Sequence, residues 1–188
     1  MMKRSRILLV LAILTVISAT SSRAQTGIMG GVNIASVSAS VDGSDVSTDD
    51  RTAFNVGVFA GKGGLLGFMT GLFYSQKGFA VEGSNVDLDY LTIPLMLRAK
   101  ILMLRGYVGP NIAFQLACNT SDDVDLAGVR FSCDDTETFE FGWKIGVGGS
   151  LLIFNLDLAY EWGTTDIWKA DNGSIKNRAF QIDIGLGI

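Results

Sequence analysis

The sequence has no histidine, two prolines and two cysteines, and only 18% of its 188 residues are charged. Histidine is the commonest general base and metal ligand near neutral pH, so its absence excludes most hydrolase and zinc-enzyme mechanisms. A Walker loop, a dinucleotide-binding fingerprint and a C-x-x-C thiol pair are missing as well. The sequence therefore predicts no catalytic residue, no cofactor and no dedicated metal site.

Apolar runs long enough for a spanning helix are also missing, and the longest run lies at the N-terminus. A basic start, an apolar run over residues 7–17 and a small-x-small site ending at Ala24 follow one another in that order. This order is typical of a secretory signal peptide, and the run is about half the roughly 20 residues that a spanning helix needs. We expect residues 1–24 to be cleaved and residues 25–188 to form a single domain.

The net charge of the chain argues against nucleic acid as a partner. The chain carries 15 basic and 19 acidic residues, and the predicted cleavage removes four basic ones. The mature balance is then 11 against 19, a net charge of −8. Because nucleic-acid binding depends on positive charge, this acidic exported chain is not expected to bind nucleic acid.

What the mature chain does contain is alternation of apolar and polar residues with a period of two. This period is typical of β-strands that have two unlike faces. It runs without a break through the last third of the chain. One face there carries Phe139, Phe141, Trp143, Ile145 and Val147, then Phe154, Leu156, Leu158, Tyr160 and Trp162, then Phe180, Ile182, Ile184, Leu186 and Ile188.

The same pattern predicts eight strands in all, each about long enough to cross a bilayer at a tilt. Long connections alternate with short ones, which predicts an all-β, eight-stranded, antiparallel, up-and-down transmembrane β-barrel. The short connections are unusually apolar, and Pro94 falls inside a strand, where we expect a bulge. The long connections are residues 38–51, 81–87, 118–137 and 164–177, and the short ones are 63–67, 101–105 and 150–153.

The polar face of these strands carries charges of both signs, which can pair across a narrow lumen while the apolar face meets lipid. Glu140 and Glu161 are expected to neutralise lysine or arginine here, rather than to act as an acid–base pair. The alternative is a soluble periplasmic lipocalin-like barrel whose aromatic face is its core. The predicted lumen charge network is Arg98, Lys100, Glu140, Lys144, Asp157, Glu161 and Asp183, and Lys144, Arg98 or Lys100 are the expected partners of the two glutamates.

Aromatic residues near the long-loop ends of the strands predict an interfacial girdle. They are Phe139, Tyr160, Trp162 and Phe180.

Three motifs carry a family resemblance. They are Tyr74-Ser75-Gln76-Lys77-Gly78, Tyr90-Leu91-Thr92-Ile93-Pro94-Leu95 and Gly106-Tyr107-Val108-Gly109-Pro110. The chain resembles the small outer-membrane β-barrel domains of the PorT-like, porin-type (OmpA-like barrel) family. The resemblance implies an eight-stranded barrel in a Gram-negative outer membrane, with a proline at the Pro94 position as a family habit and no catalytic motif.

The long loops hold the two cysteines and most of the acidic residues. Cys118 and Cys133 flank the longest loop, and in an oxidising compartment we expect them to form a disulfide. The loop carboxylates can bridge a divalent cation, although a solvated acidic surface is the favoured interpretation. These carboxylates are Asp42, Asp45, Asp49, Asp50, Asp122, Asp123, Asp125, Asp134, Asp135 and Glu137.

Three hypotheses for function follow. The first is an integral outer-membrane barrel with a plugged polar lumen, which has a structural or surface-interaction role through its loops. The second is a narrow solute or ion pore whose selectivity is set by the lumen charges. The third is the soluble binding barrel. The sequence specifies outer-membrane lipid as a partner, but no ligand, no protein partner and no oligomeric state.

Overall fold

The computed structural model describes residues 24–41, 44–46, 50–81, 84–120, 124–126, 129–131, 133, 136–167 and 173–187. This part of the chain contains no helix with the length and apolarity needed to cross a membrane. Its strands are β1 (Ala24–Val41), β2 (Ser44–Val46), β3 (Arg51–Gly63), β4 (Leu66–Val81), β5 (Ser84–Ile101), β6 (Leu104–Thr120), β7 (Val124–Leu126), β8 (Val129–Phe131), β9 (Phe139–Leu151), β10 (Phe154–Gly163) and β11 (Gly173–Gly187).

Eight of these eleven strands form a closed antiparallel barrel. Each long strand pairs with the next long strand along the chain, and β11 pairs back with β1. The short strand β2 extends the pairing of β1, while β7 and β8 form a separate hairpin. Closure pairs each of the eight long strands on both sides, as a bilayer requires. The predicted up-and-down barrel is confirmed.

The strands are strongly staggered around the barrel. One row of paired residues leaves β1 at Ala24 and returns to β1 at Ile34, ten residues further along, so the barrel has a shear of ten. Divided among the eight strands, this shear raises the height of successive residues in the row by about 1.25 residues per strand. The row runs from Ala24 through Lys62, Phe68, Leu97, Val108, Ile145, Tyr160 and Phe180 to Ile34.

The predicted facing of the strands is confirmed. Trp143, Leu158 and Ile184 lie on the outer face with 40%, 41% and 64% of their surface exposed, whereas Asp157 and Asp183 point inward and are 1% and 3% exposed. A soluble lipocalin-like barrel would have the reverse arrangement, because water outside favours an apolar interior. The observed facing therefore excludes that alternative and fits a barrel surrounded by lipid.

This polarity reverses near the long-loop end of the barrel. Beyond Leu91 on β5, the outward side chains are Asp89 and Asp87, and the inward ones are Tyr90 and Leu88. β1, β4 and β11 change in the same way, with polar side chains outside and apolar ones inside. The long-loop end is therefore built like a soluble protein, and the reversal marks the level where the membrane ends. The outward polar residues there include Ser36, Ser38, Gln76, Lys176 and Arg178.

Each predicted connection is longer than the segment between the observed barrel strands, as two cases show. Most of the predicted loop 81–87 is strand, since β4 runs to Val81 and β5 begins at Ser84. The predicted connection 101–105 shrinks to Leu102 and Met103, so that Arg105 belongs to β6. The first error arises because the strands continue beyond the length that a membrane requires, and the second because the apolar turn residues carry no turn signal.

The bulge expected at Pro94 is also misplaced. Pro94 pairs with Asn111, and the ladder between β4 and β5 keeps the same register on either side of it. The register shift lies instead between Asp89 and Tyr90, where β5 pairs with β6. This is the level of the polarity reversal, and the bulge fits the known preference of bulges for the rims of barrels.

Adjacent residues on β11 provide a direct test of the facing. By the stagger of the strands, Ile184 lies near the middle of the apolar band. We expect Ile184→Arg to decrease the free energy of unfolding in vesicles by about 2–4 kcal/mol. Asp183→Asn should cost less than half of that, because the new amide oxygen can still accept the 2.8 Å hydrogen bond from Asn55 Nδ2. Urea unfolding in lipid vesicles measures both, and equal tolerance would contradict the assigned facing.

Candidate functional site

Inward side chains fill the barrel in two charged clusters beneath an apolar cap. The apolar cap comprises Val37, Phe79, Val86, Leu88, Tyr90, Ala113, Ile167 and Ile175, with Cys118 packed against it.

Ile167 enters the apolar cap from the segment between β10 and β11. Its backbone amide donates to the Ile175 carbonyl over 2.8 Å, and its carbonyl accepts from the Glu137 amide over 2.9 Å. Only 1% of Ile167 is exposed. A loop residue thus covers the long-loop mouth of the barrel, where it is fixed by backbone hydrogen bonds and buried apolar area.

The upper charged cluster centres on Lys77, which lies on β4. Its ammonium group forms ion pairs with Glu140, at 3.3 Å to Oε1, and with Glu161. The second oxygen of each glutamate accepts a hydrogen bond, from Asn177 Nδ2 at 2.6 Å and from Gln181 Nε2 at 3.5 Å. Buried charges of this kind are tolerated only when ion pairs and hydrogen bonds compensate their lost hydration.

The lower charged cluster centres on Arg105 at the start of β6. Its guanidinium group forms a two-pronged ion pair with Asp157, with Nε 3.1 Å from Oδ1 and Nη2 against Oδ2. Its Nη1 donates to Asn155 Oδ1 at 2.7 Å and to Ser150 Oγ at 2.6 Å. The planar fork of arginine matches a carboxylate in this way, which makes the pair strong and geometrically specific.

A small cavity separates the two charged clusters. It has a volume of about 20 Å³, enough for a single water, and the charged residues in its lining are Lys144, Asp157 and Asp183. The Lys144 ammonium lies 6.0 Å from the centroid of the Phe73 ring and close enough to all three nearby carboxylates, including Glu161, to attract them.

The residues predicted for the lumen charge network all occupy inward strand positions, but the predicted pairing is wrong. Glu140 and Glu161 pair with Lys77, and not with Lys144, Arg98 or Lys100. Arg98 is 4% exposed and donates to the backbone carbonyl of Gly63 at 3.4 Å. Lys100 is half-buried at the short-turn end, and within the described ranges it has no carboxylate within 4 Å.

Sequence reasoning missed both cations that make the ion pairs. Lys77 was not assigned because its strand carries aromatic residues on both faces, and Arg105 was assigned to a turn. With them included, the deep lumen is electrically balanced in the part of the chain that the structure describes. Its four cations are Lys77, Arg98, Arg105 and Lys144, and its four carboxylates are Glu140, Asp157, Glu161 and Asp183.

The predicted aromatic residues all lie on the outer face. Trp162 and Phe180 are at the level of Leu91, where the polarity reverses, while Tyr160 lies one layer nearer the short turns and Phe139 one layer further away. The ring planes of Tyr160 and Trp162 stack with centroids 5.9 Å apart. Three further aromatic residues, which were not predicted for the girdle, lie at the same level as Leu91: Phe54, Tyr74 and Phe141.

Above the apolar cap, the structure joins Cys118 and Cys133 in a disulfide with their Cα atoms 5.6 Å apart. Among the residues with a described placement, no group of three histidine, cysteine, aspartate or glutamate side chains is arranged to hold a metal ion. Cation bridging by the loops stays a prediction, because the structure does not describe the side chains of most of the acidic residues named for it: Asp42, Asp45, Asp49, Asp122, Asp123, Asp125, Asp134 and Asp135.

Within the upper charged cluster, we expect loss of the Lys77 charge to reduce the stability of the fold most. Lys77→Met keeps the bulk of the side chain but leaves two buried carboxylates without a counter-charge, so we expect the free energy of unfolding to fall by about 3–5 kcal/mol. Adding Glu140→Gln and Glu161→Gln should restore at least half of that loss. Urea titration in vesicles measures this, with the exposed Lys62→Met as the control. A Lys77→Met variant as stable as the control would contradict the assigned pairing.

Comparison with solved structures finds three outer-membrane proteins that are similar to this chain. Neisserial surface protein A matches with a TM-score of 0.50 at 15% identity, over 88% of this chain and 97% of its own. The outer membrane enzyme PagL has a TM-score of 0.41 at 8% identity, over 88% and 99% of the two chains. Outer membrane protein AlkL has a TM-score of 0.41 at 13% identity, over 90% and 93%.

Sequence comparison gives a family and no individual relative. No curated protein matches the sequence. The family model described as "Outer membrane protein beta-barrel domain" matches residues 17–169. This match covers most of the chain and agrees with a closed eight-stranded barrel whose outer face is apolar. The chain therefore belongs to the outer membrane protein beta-barrel domain family, and its place is the outer membrane.

Proposed function

We propose that this protein is a plugged, non-catalytic outer-membrane barrel that acts through its extracellular loops and not by conducting solutes. The observation that carries the proposal is that inward side chains fill the lumen at the apolar cap and at both charged clusters, while the cavity between the clusters holds only about 20 Å³. The apolar cap covers the extracellular mouth, and each charged cluster crosses the interior from one wall to another.

The ion pairs support a rigid plug. Lys77 on β4 reaches Glu140 on β9 and Glu161 on β10, while Arg105 on β6 reaches Asp157 on β10. In the ring of eight strands, these contacts join strands that are three, four and two positions apart, and four positions is the opposite wall. Solvated ions would have to displace these buried pairs, which costs several kcal/mol for each charge that loses its partner.

The surface role rests on the loops. The Cys118–Cys133 disulfide closes the longest extracellular connection, and it limits the shapes that the acidic segment between the cysteines can take. We also propose that the outer aromatic residues form the upper interfacial girdle, and that the three sequence motifs mark a relationship to the PorT-like members of the family.

Conductance separates the plug from the pore. We expect the full mature protein to give no reproducible current in planar bilayers, and Lys144→Glu to leave it silent. Insertion is verified by the heat-dependent shift in electrophoretic mobility that folded barrels display.

A steady wild-type conductance with an ion selectivity that Lys144→Glu alters would overturn the proposal in favour of the pore. The matched control is Lys62→Glu, which makes the same charge change at an exposed residue and should not alter selectivity under either hypothesis.

A further inference from the structure

All three periplasmic turns are apolar and exposed. Leu102 is 88% exposed and Leu152 is 90% exposed, and their neighbours in the turns are exposed by between 48% and 71%. In bulk water such a continuous apolar surface would be unfavourable. We call this surface the apolar rim, and it consists of Leu65, Leu66, Ile101, Leu102, Met103, Leu104, Leu151, Leu152, Ile153 and Phe154.

In each turn of the apolar rim, one backbone carbonyl accepts a hydrogen bond from the amide of a neighbouring strand. The carbonyl of Leu65 accepts from the amide of Lys100, that of Met103 from Ser150, and that of Ile153 from Gly187, each over 2.8 Å. In every case the donor belongs to the end of a neighbouring strand. Turns in water do not need such partners, but backbone groups in lipid do.

Two leucines of the apolar rim have a backbone conformation that leucine disfavours. The φ angle is 55° at Leu102 and 57° at Leu152, in the left-handed region where glycine and asparagine are preferred. A turn selected for water would carry those residues. Retaining leucine at both positions indicates that an apolar side chain there offsets a strain of about 1–2 kcal/mol per residue.

The level of the apolar rim agrees with the thickness of a membrane. From Leu91, where the outer polarity reverses, β5 runs ten residues to Ile101. At a rise of about 3.3 Å per residue and a tilt of about 40°, this distance corresponds to about 25 Å, the height of the apolar band of such barrels. The turns therefore begin where the band ends, and they continue the lipid-facing surface of Phe68, Leu97 and Leu186, with the exposed Lys62 beside Phe68.

We propose that the apolar rim is immersed in the periplasmic leaflet of the outer membrane, so that phospholipid acyl chains and not water cover the three turns. The rim then anchors the depth of the barrel at the periplasmic side, while the outward polar residues beyond the polarity reversal fix it at the long-loop end. This inference rests on the lipid-facing surface and is independent of whether the lumen conducts.

Asparagine substitution at the two strained positions gives opposite signs for the two environments. We expect Leu102→Asn combined with Leu152→Asn to lower the urea midpoint of the mature protein in phosphatidylcholine vesicles, because the loss of apolar contact with lipid exceeds the relief of backbone strain. In water the same change would raise the midpoint. Leu116→Asn is the control, since Leu116 is 58% exposed but lies above the polarity reversal. An unchanged or raised midpoint in the double variant overturns the proposal.

A fluorescent probe tests the location without depending on stability. Because both native cysteines are in a disulfide, Leu152→Cys can be labelled alone with an environment-sensitive dye. We expect blue-shifted emission that brominated phospholipids quench and aqueous iodide does not. Ser38→Cys, which lies beyond the polarity reversal at the long-loop end, should behave in the opposite way. Iodide quenching at position 152 equal to that at position 38 would overturn the proposal, and it would leave the rim to a periplasmic protein or a second copy of this chain.

Discussion

The rest of this structure depends on the need to satisfy every backbone hydrogen bond inside lipid. A closed ladder does this, and closing eight strands fixes the stagger, the tilt and the width of the barrel together. Each strand then has one face in lipid and one in a narrow polar interior, and a period of two is the only pattern that serves both. The alternation along β9, β10 and β11 follows from that single constraint.

The narrow interior explains the small residues of the lumen as well as its charges. A Cβ at Gly146 would overlap the ring of Tyr107, and one at Gly148 would overlap the Asp157 carboxylate. Glycine at these two positions therefore makes room for the large inward side chains on the neighbouring strands. Those side chains carry charges of opposite sign in balance, because an unpaired charge away from water would destabilise the fold.

Alternation alone predicted the architecture, the facing of β9–β11 and the inward position of Asp157, Glu161 and Asp183. It could not identify Lys77 as the partner of the glutamates, because Phe73 and Tyr74 put aromatic side chains on both faces of β4. Arg105 was missed since the turn before it contains none of the glycine, asparagine or proline that normally marks a turn. The entry of Ile167 into the apolar cap depends on tertiary packing, for which a loop sequence has no periodic signal.

The central claim is that the outer face changes from lipid-facing to water-facing within single strands. The most direct test is labelling of the vesicle-reconstituted protein with a lipid-soluble photoreactive reagent, followed by mass spectrometry of residues 174–187. The account predicts label on Phe180, Ile182, Ile184 and Leu186 and none on Gln181, Asp183, Lys176 or Arg178. Label distributed equally over both faces of β11, or reaching Lys176, would contradict it.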